Sequence, residues 1–368
     1  METAKVDEKS EINDLRQPTV FKGISFSKYK KTDVKSQLEQ SLLKCKIEPA
    51  CYWCAELICS GHYGDIWEIL LHYVGKYVHL GNPKLVIYLE MRYDMFRHIM
   101  SKGLYINELQ LRNNKQMRQL FAEIICTVAL SNKKHSFEPI RINRIEEFDM
   151  TQMTERLKAP SVKYIEDVLC KDDPKELLIP VNEFAYNISK ERQNMMTACY
   201  WIEWMIEFDN ICKKRKEPLF AECRATIQVE HKYQTDIIWI LWDAIEIRIE
   251  ELHNEFVNKL IKALKSLFCI KYTTAACKKR RYLLYYAVAL ATEPIPTGIE
   301  LVTNKSLVQN VIEKIDGIYK EIKKNEENPN MDYLYSNMDK QNNFEKSVKK
   351  LEMIENLVSI APRTTPHI

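Results

Sequence analysis

Cys51, Cys54, Cys59 and His62 stand at the spacing C-x2-C-x4-C-x2-H. Four sulfur and nitrogen donors are what a tetrahedral Zn2+ ion takes, and a short zinc knuckle carries such a string. The residues between the donors argue the other way. Tyr52, Trp53, Leu57 and Ile58 alternate with the cysteines in an uninterrupted helical pattern, and no glycine precedes Gly61 to make the turns a knuckle needs. The string therefore reads as a buried helix face on which thiols act as small apolar groups. No metal ligand is assigned.

The aromatic residues Tyr52, Trp53, Trp67, Tyr200, Trp201, Trp204, Trp239 and Trp242 have faces that can stack on nucleic-acid bases. Their helical spacing assigns them to a core instead. Three basic clusters remain, Lys28–Lys31, Lys213–Lys216 and Lys278–Arg281. A run of cations is first of all a solvated face, and at a helix C-terminus it complements the dipole. Such runs also contact phosphates in a salt-dependent way. Lys213, Lys214, Arg215, Lys216, Lys278, Lys279, Arg280 and Arg281 are the candidate nucleic-acid contacts, and Lys213–Lys216 also has the form of a nuclear import signal. No G-x-S-x-G, H-E-x-x-H or Walker sequence is present. His231, His253, Glu246, Glu250 and Glu251 fall on one charged helical stretch, where i,i+4 pairing accounts for them. The expectation is a protein without catalytic residues or cofactor, and not an enzyme.

The elements that carry these residues repeat. Ala50-Cys51-Tyr52-Trp53 recurs as Ala198-Cys199-Tyr200-Trp201. Each copy is followed by a Trp-containing segment, Asp65-Ile66-Trp67 and Asp236-Ile237-Ile238-Trp239, and then by Val-Ala-Leu at 128–130 and 288–290. The tetrapeptides lie 148 residues apart and the Val-Ala-Leu copies 160, so the second copy has gained residues. Ordered landmarks of this kind predict a tandem duplication of one helical unit. The chain divides into a flexible N-terminal arm (1–33, with a short strand at Val20–Phe26), unit 1 (34–132), a connector (133–180), unit 2 (181–300, with a basic insertion at 212–227) and a charged helical tail (301–368). Periodicity and breakers place helices at Ser36–Lys46, Ala50–Ser60, Ile66–His79, Pro83–Met100 and Asn114–Ser131 in unit 1. A short helix follows at Ser161–Cys170. Glu183–Cys212, Lys232–Phe268 and Ala275–Thr292 form unit 2, and Leu301–Lys324 and Phe344–Ile360 form the tail.

Of 368 residues, 46% are hydrophobic and 29% charged, a soluble globular balance with room for two domains. Only eight glycines are present, which disfavours phosphate cradles and tight hairpins. The net charge of +3 makes local basic runs more informative than the total. Eleven cysteines, mostly inside helical patterns, read as reduced thiols of an intracellular protein of the cytoplasm or the nucleus. The polar N-terminus predicts no signal peptide. The apolar stretches are broken well short of the roughly 20 residues that span a membrane, so no membrane association is expected.

The stretch from Ser41 to Leu89 resembles the helical collar of clamp-loader-type AAA+ proteins of the replication-associated recombination family. Ala50, Tyr52, Trp53, Gly61, Trp67, Gly81 and Pro83 stand at the matching places. The acidic pair that usually precedes the second break is Val78-His79 here, and no ATPase domain is attached, so ATP hydrolysis is not carried over. The collar of that family binds neighbouring subunits. The resemblance thus implies an all-α, collar-like module that binds protein partners or its own copies near replication forks. The Lys-, Ile- and Asn-rich composition and the opening motif also resemble uncharacterised proteins of nucleocytoplasmic large DNA viruses. The expected function is a non-enzymatic adaptor in viral DNA replication or repair that touches DNA through its basic clusters. The alternative is a structural or assembly protein of the particle or viral factory.

Overall fold

The computed structural model describes residues 8–327, apart from 104, 106, 145–146 and 149–153. The expected helix Phe344–Ile360 lies outside the described residues. Among those described the chain is all-α, with no strand and only isolated β-bridges, such as that between Ile24 and Lys30. The helices are α1 (Lys31–Leu43), α2 (Ile47–Cys59), α3 (Tyr63–Tyr73, continued by a π-turn Val74–Val78), α4 (Lys84–Lys102) and α5 (Lys115–Leu130). After the connector come α6 (Leu178–Ile188), α7 (Met195–Lys214), α8 (Ile238–Glu251), α9 (Glu255–Cys269), α10 (Thr274–Lys279), α11 (Arg281–Thr292) and α12 (Lys305–Lys323). No helix among the described residues is long and apolar enough to cross a membrane, and all eleven cysteines are free thiols.

Asparagine caps set the breaks that periodicity misses. The stretch Glu183–Cys212 is two helices, because α6 stops at Ile188 and Asn194 restarts the chain by accepting the Thr197 amide at 3.0 Å. The stretch Lys232–Phe268 divides at His253, whose φ of 49° ends α8, and at Asn254, which accepts the amides of Phe256 and Val257 to begin α9. A capping side chain satisfies orphan backbone donors that apolar continuity cannot. Ser161–Cys170 forms only a 3-10 turn at Lys163–Ile165, and Val20–Phe26 is no strand but the end of a turn over Pro18–Phe21.

The two halves follow one plan. Ala50 is the fourth residue of α2 and Ala198 the fourth of α7, and both are fully buried. Helix α1 packs on α2 as α6 packs on α7, α1 on α3 as α6 on α8, α2 on α5 as α7 on α11, and α4 on α5 as α9 on α11. Helix α10 stands where the first half has a 3-10 helix, Glu108–Asn113. The corresponding helices α4 and α9 pack against each other, so the halves share one apolar core.

Their junction is close. A Cβ on Gly75, in the π-turn, would lie 2.9 Å from the Tyr282 carbonyl carbon of α11. His79 stacks on Tyr286 with centroids 4.7 Å apart, and His72 meets Tyr282 edge-on at 5.2 Å.

The segment expected as a flexible arm is packed from Glu8 onward: Ile12, Phe21 and Phe26 are buried. The Asn113 amide brackets Ile12, accepting its N–H at 2.9 Å and donating to its carbonyl at 2.8 Å. Helix α12 does not extend away as a tail either; it lies across α2 and α5. Arg118 fastens these pieces. Its guanidinium is 1% exposed as part of the residue, stacks 3.8 Å from the Tyr319 ring centroid, and donates to Ser10 O, Asn113 Oδ1, Arg112 O and Asp316 Oδ1. Burying so much charge is tolerable only because each donor is engaged.

Candidate nucleic-acid interface

Lys213, Lys214, Arg215 and Lys216 close α7. All four are exposed. Lys216 takes a φ of 65°, and the Glu217 amide donates to the Cys212 carbonyl at 3.0 Å, an ending in which the last carbonyls are satisfied by the returning chain. Four cations at this end complement the negative pole of the helix. Lys213 is also paired with Asp209 one turn earlier. That leaves Lys214, Arg215 and Lys216 as the outward-facing part of the run.

The second run is divided by the fold. Lys278 and Lys279, at the end of α10, are exposed. Arg280 is not: it is 3% exposed, donates to the Phe268 carbonyl at 2.6 Å and is ion-paired with Glu68 of unit 1. Arg281 pairs with Glu203 at 3.0 Å and donates to the Lys278 carbonyl at 2.9 Å. Both arginines are therefore removed from the candidate contacts. The chain turns between α10 and α11 at this point, so adjacent cations point to opposite sides. Burial pushes the Glu203 carboxyl up, against the pull of Arg281 and the hydroxyl donated by Tyr285 at 2.7 Å. In the first run Lys31 pairs with Asp65 at 3.1 Å and Lys28 with Glu327, while Lys30 is exposed.

Of the remaining exposed cations, Lys278 lines a cleft shared by α7 and the starts of α8 and α10. The cleft has a volume of about 270 Å3 and is lined by Met205, Asp209, Asp236, Ile237, Cys277 and Lys278. Burial raises the Asp209 carboxyl, partly offset by Lys213, and Tyr272 donates to Asp236 at 3.0 Å. Its lining carries the two carboxylates Asp209 and Asp236 and one cation, Lys278. The two carboxylates disfavour a phosphate inside the cleft, so a phosphate contact falls on exposed cations outside its interior.

The cysteines of α2 are buried thiols. Burial pushes Cys51 and Cys59 up to about 12 and Cys54 well above its ordinary value. His62 turns away from them, with its Nε2 3.1 Å from the Ile24 carbonyl. Among the described residues no three His, Cys, Asp or Glu side chains converge as a metal site. Glu246 pairs with Lys265 at 2.7 Å and Glu251 with Arg248 at 2.8 Å. The aromatic residues are mostly interior: Trp201, Trp239 and Trp242 are fully buried, whereas Trp53 and Tyr52 are half-buried.

Sequence reasoning missed a recess of about 680 Å3 between α4 and α9, lined by Tyr93, Asp94, Arg97, Glu246, Lys262 and Lys265 among others. Its charges are mixed. Its residues come from separate segments, and only the packing of α4 on α9 gathers them, so no linear pattern announces it. Comparison of the chain with family models, curated proteins and solved structures finds no match.

Proposed function

We propose that this chain is a non-enzymatic helical scaffold, built by duplication of one unit, that joins protein partners in viral DNA replication or repair and meets nucleic-acid phosphates at one end of its second unit. The observation that carries the nucleic-acid part is the exposure of Lys214–Lys216 at the end of α7 and of Lys278–Lys279 at the end of α10, while Arg280 and Arg281 are held by internal ion pairs. The matched register of Ala50 and Ala198 and the matched helix pairings support the duplication. The resemblance of residues 41–89 to a subunit-binding collar supports the scaffold part.

The test is filter binding of a duplex at two salt concentrations. Three neutralised phosphates give roughly a fortyfold loss of affinity between 50 and 200 mM salt. The triple variant Lys214→Ala, Arg215→Ala, Lys216→Ala should bind weakly at both, with a flattened salt slope. Equal binding by variant and wild type rejects the interface. Absence of binding by the wild type favours the other reading, an assembly protein, which abundance in purified particles would then support.

A further inference from the structure

Helix α12 buries one side against α2 and α5 and leaves a second apolar strip uncovered. Leu307, Val311 and Ile318 are half-buried along it, and with Ile47 and Cys51 of α2 they line a groove of about 410 Å3. Gly317 stands in the same strip. It is exposed, and a Cβ built on it would meet nothing within 4 Å. A glycine inside a helix weakens that helix and allows another backbone to approach. The groove is rimmed by Glu48, Lys314 and Glu321.

The chain continues for 41 residues beyond Glu327, and one stretch in it is apolar at helical spacing. Phe344, Val348, Leu351, Ile354 and Val358 fall on one face of a 3.6-residue period. We propose that the groove between α2 and α12 is the seat of this segment, Phe344–Ile360 of the same chain. Helix α12 is roughly 28 Å long and a 17-residue helix roughly 26 Å, so the two match in length. The 16 residues 328–343, between Glu327 and this segment, reach up to roughly 50 Å when extended, enough to return along α12. In that antiparallel sense Lys346 and Lys350 come to Glu321, and Glu355 comes to Lys314. The inference is independent of any nucleic-acid contact.

Hydrogen exchange of the full-length chain, followed by mass spectrometry, tests it. Gly317→Trp fills the groove from a position with open space around it, and Leu351→Asp disables the segment without touching the folded body. In the wild type the amides of 344–360 should exchange at least about tenfold more slowly than in either variant. Leu351→Asp should also speed exchange along α12, a readout that does not depend on the folding of Gly317→Trp. Fast exchange of 344–360 in the wild type overturns the proposal. So does slow exchange that Gly317→Trp leaves intact at an unchanged melting temperature, since the segment would then be seated elsewhere. Protection that grows with protein concentration alongside a sedimenting dimer also overturns it, and assigns the groove to a second copy.

Discussion

Trp53 and Trp201 hold the same place in the two copies of the tetrapeptide but different environments. Trp201 is fully enclosed, with Trp204 at 5.9 Å, whereas Trp53 is half-buried and meets Tyr29 edge-on at 5.6 Å. Removing an enclosed indole loses its transfer energy and leaves a void. Trp201→Ala should therefore cost about 3–5 kcal/mol, and Trp53→Ala about 1–2 kcal/mol, because part of its surface already faces water. Denaturant titration of the two variants checks this, and equal losses would contradict it. The tetrapeptide identified both rings as a repeated feature. It could not reveal the difference, which arises from what covers each copy: α7 receives Phe148 of the connector on Trp204 and Phe208, whereas Trp53 of α2 meets Tyr29.

At the scale of elements, the junction between the π-turn and α11 rests on a missing side chain. Gly75→Ala places a methyl 2.9 Å from the Tyr282 carbonyl carbon and 3.1 Å from the Leu283 nitrogen, so the π-turn and α11 must separate. Overpacking of this kind costs about 1–3 kcal/mol. Gly64→Ala, near the start of α3, is the control: nothing lies within 4 Å of its Cβ, and it should be neutral or slightly stabilising. Thermal melts that fall equally for both would argue against the junction. The helices of the first half were readable from apolar spacing, whereas Glu183–Cys212, Lys232–Phe268 and Ala275–Thr292 each prove to be two helices. Gly81, read as a helix stop, has a second reason for being glycine, since a Cβ there would lie 2.6 Å from the Asn132 carbonyl oxygen. Close approaches of this type are properties of two segments and leave no trace in one. Arg280 failed as a candidate for the same reason: its partners Phe268 and Glu68 are fixed by packing between the units.

At the scale of the molecule, the shared core makes the two units depend on each other, and His79 makes that dependence sensitive to pH. The ring is 2% exposed, stacked on Tyr286, and its Nε2 has no hydrogen-bond partner. Burial lowers it to about 4, with Glu293 pulling up and Lys134 down. Because the folded value lies below the unfolded one near 6.5, the unfolded chain binds the extra proton. The contribution to stability is fully present above pH 6.5 and is lost as pH falls through 4. Between pH 7.5 and 5 the wild type should lose about 2 kcal/mol more than His79→Phe, which keeps a ring on Tyr286 but cannot titrate. Denaturant titration at both pH values measures the difference, and parallel losses would remove His79 as the cause.

Arg118 has a consequence for how the protein comes into being. Its acceptor Asp316 and the Tyr319 ring beneath it are encoded 198 and 201 positions later. A ribosome emits roughly 5–20 residues per second, so the first half of the newborn polypeptide waits on the order of ten seconds or more with this cation lacking its final acceptor. The amino-terminal half is made first, yet it is completed last.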